Sequence, residues 1–183
     1  MLRIAQVVIC CTLNRLVLLL PISYTLMLIM EVVSMNHFVI RRATMRDINA
    51  LVTLEKECFT SDIISRQSLK HLLSAKSAEI LVAEQDQKIV GSAVIFFRKN
   101  SKKARLYSLA IHAEHRQKGI AANLRDTLEK NAACRGCTSI LLEVRPDNAT
   151  AISFYQKHGY QLFGKFSCFY EDGTDALRME KQI

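Results

Sequence analysis

The chain has 183 residues, of which 50% are hydrophobic and 23% charged, a composition typical of a globular protein with a sizeable core. Its 25 basic and 17 acidic side chains give a formal net charge of +8, which favours an anionic partner such as a nucleic acid, a membrane surface or a phosphorylated small molecule. There is no run of five like charges and no interleaving of basic with aromatic residues. The pattern therefore argues against direct binding of nucleic acid.

Residues 1–34 form an apolar N-terminal extension with only Arg3, Arg15 and Glu31 as charged residues. Its two apolar runs are each shorter than the roughly 20 residues that a membrane-spanning helix needs, and no signal-peptidase site follows them. Two interpretations stay open: a membrane-associated helix, or a misplaced translation start ahead of a natural start at Met35. We expect one domain over residues 35–183, in a cytoplasmic protein or in one that a membrane holds through residues 1–34.

Six cysteines are scattered along the chain. Cys134 and Cys137 have a Cys-x-x-Cys spacing, but a zinc ribbon would need a second such pair and a redox motif would need its own strand context. We therefore predict no metal site and interpret these two residues as small buried thiols at the end of a helix.

Hydrophobic periodicity and turn residues predict the elements that follow. The predicted strands span residues 38–42, 79–84, 88–98, 105–111, 139–145, 160–170 and 175–181. The first helix opens at a capping box over Thr44–Asp47 and ends near Cys58. A short second helix carries Leu69, Leu72 and Leu73, a third runs from Gly119 to Gly136, and a fourth runs from its cap Asn148 to Gly159. This order predicts one α/β domain around a mixed sheet.

The segment His115–Ala122 joins the fourth predicted strand to the third helix. The first N–H groups of a helix lack intrahelical partners and attract anions, helped by the helix dipole. Small residues at Gly119, Ala121 and Ala122 would let a phosphate approach the backbone, and neighbouring basic residues add positive charge. From the residues alone, a phosphate site and an ordinary turn with solvated basic side chains both remain open.

Three motifs resemble those of a known superfamily. Arg116-x-x-Gly119-x-Ala121 is similar to the Q/R-x-x-G-x-G/A signature of the GNAT N-acetyltransferases, and it follows a strand, Leu106–Ile111, that resembles their cofactor-facing strand. Downstream, Leu142–Tyr160 and Phe169–Met179 resemble the ribosomal-protein-alanine N-acetyltransferase branch. The resemblance covers residues 38–181. One departure stands out, because Phe59–Ser65 lacks the Pro-Trp pair that this branch carries near its substrate loop.

The resemblance implies a single GNAT-like domain: a mixed, mostly antiparallel sheet of about six to seven strands flanked by four helices. It implies an acyltransferase that moves acetyl directly from acetyl-CoA to a primary amine without a metal. Backbone groups of the fourth strand would meet the pantetheine arm and the thioester carbonyl, and the next loop would hold the pyrophosphate. The residues implied in cofactor binding are Leu109, Ala110, Ile111, Arg116, Gln117, Lys118, Gly119, Ile120, Ala121, Ala122 and Asn148.

Two residues are candidates for proton transfer. Ile140, Leu142 and Val144 share one face of the fifth strand, so Glu143 faces the other way; the resemblance makes it the base that deprotonates the amine. Tyr155 would be the acid that protonates the leaving thiolate. A surface glutamate and a buried core tyrosine are the alternative interpretations.

Three hypotheses for the function remain. The branch resemblance favours a polypeptide or protein N-terminus, but the superfamily fold also serves small-molecule amines. A non-catalytic acyl-CoA-binding module is the third, and the presence of both Glu143 and Tyr155 argues against it.

Overall fold

The structure, a computed structural model, describes residues 38–183. Both interpretations of residues 1–34, and the proposed start at Met35, concern a part of the chain outside these residues. No helix within residues 38–183 is long and apolar enough to cross a membrane.

Seven strands form one sheet in the order β1-β2-β3-β4-β5-β7-β6. Every neighbouring pair is antiparallel except β4 and β5, which run parallel. The mixed, mostly antiparallel sheet expected from the sequence is therefore confirmed. The strands are β1 Val39–Arg42, β2 Ala78–Gln85, β3 Lys88–Phe97, β4 Lys103–Ile111, β5 Ser139–Val144, β6 Gln161–Phe166 and β7 Ala176–Gln182.

Within residues 38–183, four α-helices accompany the sheet, as predicted: α1 Ile48–Cys58, α2 Arg66–Ser74, α3 Ile120–Cys134 and α4 Ala149–Lys157. The capping box is present, since the Thr44 hydroxyl accepts from the N–H of Arg46 and the Asp47 carboxylate accepts from the N–H of Thr44. It caps a short 3-10 turn, Met45–Asp47, that leads into α1. Gly136, with φ +80°, ends α3 as the sequence predicts.

The sheet separates two apolar cores. Helices α3 and α4 pack on one face, where Leu124 and Leu128 of α3 meet Leu106 and Leu142 of the sheet. Helices α1 and α2 pack on the other face, mainly over β2, β3 and β4. We call the part of this second face formed by β4, β5, β7 and β6 the outer face. The alternation of side chains along each strand places successive residues on opposite faces of the sheet.

Strands β4 and β5 separate soon after they meet. Their parallel register covers only Lys103–Leu106 against Ser139–Leu142, and beyond it each strand continues alone. In β4 the register against β3 shifts after Leu106, so Tyr107 is an extra residue with no partner on β3. The separation leaves a gap between the carboxyl ends of β4 and β5. At this gap, groups on the two faces of the sheet can approach each other.

The predicted strand over residues 160–170 is too long. Strand β6 ends at Phe166, and Phe169 and Tyr170 lie in the loop to β7, where both backbone N–H groups donate to the Thr174 carbonyl. Cys168 adopts φ +49°, a left-handed conformation that ends the strand. Because this position carries no glycine, the sequence does not indicate that the strand ends here.

Gly91 of β3 fixes how closely β4 and the start of α3 can approach. A Cβ there would lie 2.8 Å from Ile111 Cδ1 and 3.2 Å from Ile120 Cγ2. We expect Gly91→Ala to lower the free energy of unfolding by about 1–3 kcal/mol through overpacking, measured by urea denaturation. Adding Ile111→Val removes the nearest methyl group and should restore part of the loss.

Gly164→Ala in β6 is the matched control, because its Cβ would meet nothing closer than Arg178 Cδ at 4.0 Å. Equal destabilisation by the two substitutions would show that the loss comes from the strand backbone and that packing around Gly91 is not tight.

Candidate functional site

The predicted phosphate-binding residues lie at the amino end of α3. Gly119 occupies the N-cap with φ +78° and supplies no capping side chain, so no side-chain cap from the part of the chain that the structure describes satisfies the N–H groups of the first helical turn. The first intrahelical bond runs from the N–H of Asn123 to the Gly119 carbonyl at 3.1 Å. The first turn of α3 carries no acidic residue. This helix end offers free donors and a favourable dipole to an anion.

The basic residues of this loop are placed unequally. Lys118 is exposed, whereas Arg116 turns back and its Nε donates to the Ile111 carbonyl at 3.3 Å. Gln117 adopts φ +61°, which tightens the turn between them. Lys118 is therefore free to approach a phosphate, and Arg116 in this conformation supports the loop.

The predicted cofactor-binding residues of β4 differ in the direction in which their backbone N–H groups point. The N–H of His112 donates to the Val90 carbonyl at 3.0 Å, so by antiparallel alternation Ala110 also turns its N–H toward β3. The N–H groups of Leu109 and Ile111 point the other way, toward the gap between β4 and β5. Of the three predicted cofactor-binding residues of β4, Leu109 and Ile111 therefore turn an N–H toward the gap, because β3 takes that of Ala110.

Glu143 lies on the outer face, as its strand alternation predicts, but it is neither exposed nor alone. Its side chain is 7% exposed and its Oε2 accepts from Arg105 Nε at 2.6 Å. Its Oε1 lies 3.6 Å from Nε of Arg178, the residue directly opposite on β7. Both partners went unnoticed in the sequence, although the signal was present: each is a basic residue inside a strand, on the face away from α3 and α4.

A cavity of about 390 Å³ opens on the outer face beside Glu143. We call it the outer-face cavity. Its basic lining residues are Arg98, Lys103, Arg105 and Arg178, and its aromatic lining residues are Phe96, Phe166 and Phe169. Among residues 38–183, Glu143 is its one acidic lining residue. The cavity is therefore walled by basic side chains and aromatic rings in nearly equal number.

Tyr155 belongs to the core on the opposite face. It is 8% exposed and packs edge-on against Phe154 and Tyr160. Burial raises its pKa above the usual 10, so the phenol keeps its proton at physiological pH. Its hydroxyl makes no hydrogen bond with any residue that the structure describes. Glu143 and Tyr155 thus lie on opposite faces of the sheet, and chemistry that uses both has to take place in the gap between β4 and β5.

Asn148 caps α4, and its Oδ1 accepts from the N–H of Ala151 at 3.0 Å. It follows β5, just as residues 112–119 follow β4. Because β4 and β5 run parallel, both segments emerge at the same end of the sheet. Its predicted contact with a cofactor remains a prediction, and the capping bond gives this asparagine a structural reason of its own.

Arg145 connects the two loops that border the gap. Its guanidinium pairs with Asp172 and stacks over the Tyr170 ring at 4.5 Å, both in the β6–β7 loop. It also lies 3.8 Å from the Asp62 carboxylate in the α1–α2 loop. The Thr174 N–H and Arg145 together lower the pKa of Asp172 to about 2. Arg145 therefore holds the α1–α2 loop and the β6–β7 loop close to each other.

Glu55 is a buried carboxylate that the sequence pattern concealed within the apolar stripe of α1. It is 2% exposed, accepts from the Ile64 N–H at 3.3 Å, and accepts from the Ser108 hydroxyl at 3.2 Å. It therefore ties the α1–α2 loop to the middle of β4. Burial raises its pKa, against the opposing effect of these two hydrogen bonds. A charged residue in a buried stripe was the signal that could have identified it.

The paired cysteines at the end of α3 differ in environment. Cys134 is exposed, which corrects the expectation that both thiols are buried, whereas Cys137 packs in the core with α3. Within residues 38–183, no three His, Cys, Asp or Glu side chains converge on a point that could hold a metal ion.

Comparison with known proteins adds an independent observation. The sequence profile described as the acetyltransferase (GNAT) family matches residues 48–160. An uncharacterised N-acetyltransferase of Methanocaldococcus jannaschii is 33% identical over 147 residues, which cover 79% of this chain and 91% of that protein.

Solved structures share the fold. The ribosomal-protein-S18-alanine N-acetyltransferase of Escherichia coli superimposes with a TM-score of 0.72 at 22% identity, covering 80% of this chain and 94% of that one. The PaiA N-acetyltransferase of Thermoplasma acidophilum, in complex with coenzyme A, superimposes with a TM-score of 0.70 at 23% identity, covering 80% and 99%. At these identities the likeness concerns the fold.

The raised pKa of Glu55 makes stability depend on pH. An unfolded glutamate ionises near 4.5, whereas the folded one keeps its proton to higher pH. Stability is therefore lost as the pH rises from about 4.5 through the folded pKa, by about 1.4 kcal/mol for each pH unit that separates the unfolded pKa from the folded one. Glu55→Gln cannot ionise, so its melting temperature should rise relative to the wild type between pH 5 and pH 8.

Glu171→Gln is the control, because Glu171 is exposed in the β6–β7 loop. A difference between Glu55→Gln and wild type that stays constant over this pH range would contradict the assignment of a buried, titrating carboxyl group.

Proposed function

Because this chain belongs to the GNAT acetyltransferase family, whose acetyl donor is acetyl-CoA, we propose that it acetylates the α-amine of a polypeptide N-terminus. The observation that carries this proposal is the gap between β4 and β5. The anion-binding end of α3 borders it, two N–H groups of β4 turn into it, and the loops that Arg145 connects frame its mouth on the outer face.

The residues around the gap fit acetyl-CoA. The free N–H groups at the amino end of α3 and the ammonium group of Lys118 suit a pyrophosphate, and Gly119 leaves the helix end open to close approach. When bound, acetyl-CoA supplies an acetyl group already activated as a thioester. The N–H groups of Leu109 and Ile111 would donate to the carbonyl oxygen as negative charge develops on it.

Glu143 and Tyr155 divide the proton transfer in this proposal. The amine has to lose a proton before it can attack, and Glu143 accepts that proton from the outer face. Since both Glu143 oxygens already face guanidinium groups, a water molecule between the amine and a remaining lone pair suits the geometry. Tyr155 donates its proton to the departing sulfur from the other face. Its raised pKa keeps that proton available until the thiolate needs it.

An α-amine suits this site better than a lysine side chain. Its pKa of about 8 leaves roughly a tenth deprotonated near pH 7, against well under a hundredth for lysine at about 10.4. The loops joined through Arg145 could receive an extended chain between them. The Escherichia coli enzyme with the same fold is named for the N-terminal alanine of a ribosomal protein.

A small-molecule amine is the second candidate. The outer-face cavity, at about 390 Å³, falls within the size range of sites for small ligands. Its placement beside Glu143 favours this alternative as directly as the loops favour a peptide.

Substitution at Gly119 tests the donor site. Asn and Asp both tolerate a positive φ, and a Cβ there would meet only Asn123 Nδ2 at 3.6 Å. Gly119→Asp places a negative charge at the helix end and should weaken coenzyme A binding at least tenfold more than the isosteric Gly119→Asn, as measured by calorimetric titration. Equal affinities in the two variants would show that the pyrophosphate binds elsewhere.

Tyr155→Phe tests the acid. The ring packs in the core and its hydroxyl has no partner among residues 38–183, so the variant should retain the wild-type melting temperature. Loss of a general acid should lower kcat by roughly 10²–10⁴-fold while the KM for acetyl-CoA changes little. A loss below threefold would leave Tyr155 with a packing role alone.

The acceptor is tested with a panel. We expect a short peptide with a small first residue to be acetylated faster than its N-terminally blocked, lysine-containing analogue, and faster than free polyamines or amino acids. Mass spectrometry locates the added acetyl group. Faster turnover of any small amine than of every peptide would replace the proposed acceptor with the small-molecule alternative.

A further inference from the structure

We infer that the outer-face cavity binds a carboxylate of the acceptor, so that the enzyme prefers amines carrying a negative charge a short distance from the amino group. This inference rests on the proposed function, because it places the reacting amine beside Glu143. It concerns the part of the acceptor that does not react. The acceptor we commit to is a peptide with an acidic side chain next to its N-terminal residue.

Charge at the cavity is unbalanced. Lys103 pairs with Glu180 at 3.0 Å, and Arg105 and Arg178 share the single carboxylate of Glu143. Arg98 is exposed and has no ionic partner within residues 38–183. The four cations thus face two carboxylates, and an anionic ligand would complete the pairing. The protein as a whole shares this excess, but here it is concentrated in a concave, partly desolvated place, where a charge pair is worth more than at an open surface.

Aromatic rings hold two of these cations in fixed orientations. The Arg178 guanidinium lies 4.1 Å from the centroid of Phe166, and that of Arg105 lies 5.8 Å from the centroid of Phe169. The two phenyl rings are themselves stacked, with centroids 5.9 Å apart. A guanidinium that rests on a ring keeps its N–H donors in its own plane, where a carboxylate can approach. The cavity therefore presents donors that need little reorganisation.

Strand geometry sets the spacing between amine and carboxylate. Arg105 and Lys103 lie two positions apart on one face of β4, a step of about 7 Å. Phe97 pairs with Ala104, so Arg98 and Lys103 continue the two strands side by side. With the amine at Glu143, next to Arg105, an acidic side chain of the second residue would reach Lys103 and Arg98 by extending toward the amino end of β4, while the main chain leaves between the loops that Arg145 joins.

The experiment measures binding first, so that it does not depend on turnover. Fluorescence anisotropy with C-terminally labelled peptides compares Ala-Glu-Glu with Ala-Gln-Gln at the N-terminus, on the full chain with coenzyme A present. Each partly exposed ion pair contributes roughly 1.4- to 5-fold in affinity, so two glutamates should make the peptide bind about 2- to 25-fold tighter at low salt. The advantage should vanish near 1 M salt, where the Debye length falls to about 3 Å.

Arg98→Gln should cut the preference for the glutamate peptide by at least half. Arg42→Gln is the matched control, because Arg42 is an exposed arginine of β1, the strand at the other edge of the sheet, and the preference should remain. Unlabelled 6-aminohexanoate and its amide serve as small competitors with a similar separation of amine and carboxylate.

The outcomes separate this inference from the proposed function. If 6-aminohexanoate competes and is acetylated while neither peptide binds, the carboxylate site stands and the peptide acceptor falls. If the two peptides bind and react equally, the peptide acceptor stands and the carboxylate site falls. A preference that survives in Arg98→Gln, or the absence of binding by every carboxylate-bearing amine, would also overturn the inference.

Discussion

The early end of pairing between β4 and β5 is the constraint on which the rest of the structure depends. Two parallel strands that stay together for only four residue pairs leave unpaired backbone groups within an otherwise continuous sheet, and such groups need partners. A bound thioester can supply them. The separation also joins the two faces of the sheet at one place, and the roles proposed for Tyr155 in one core and Glu143 on the opposite face would meet there.

The surroundings of Glu143 show how a buried carboxylate is made tolerable. A charge removed from water is costly unless it is paired and hydrogen-bonded, and here one arginine comes from β4 and another from β7. Those arginines rest in turn on aromatic rings of β6 and of the loop that follows it. The position of one candidate catalytic group is therefore fixed by side chains from four different segments, which ties the geometry of the site to the correct assembly of the whole sheet edge.

Local signals explain what the sequence could predict. The start and end of α3, the cap at Asn148 and the outward direction of Glu143 each follow from nearby residues, through capping chemistry, glycine conformation or strand alternation. What escaped prediction depends on neighbours distant in the chain. The pairing of Glu143 with Arg178 requires the strand order, and the burial of Glu55 requires knowing which loop folds over α1. The end of β6 was misplaced because Cys168 adopts a positive φ that its residue type does not signal.

The extra residue at Tyr107 has a consequence for how this strand can change over evolution. Before Tyr107, the even-numbered residues Ala104 and Leu106 face the α3 core. After it, the odd-numbered residues Leu109 and Ile111 face this core. If the same residues paired without the extra position, Tyr107 would lie opposite Val94 and every later side chain of β4 would exchange faces. The N–H groups that now turn into the gap would turn toward β3. Deletion of Tyr107 would therefore preserve the faces of the later residues, whereas an insertion between Ser108 and Ile111 would exchange the faces of the residues that follow it.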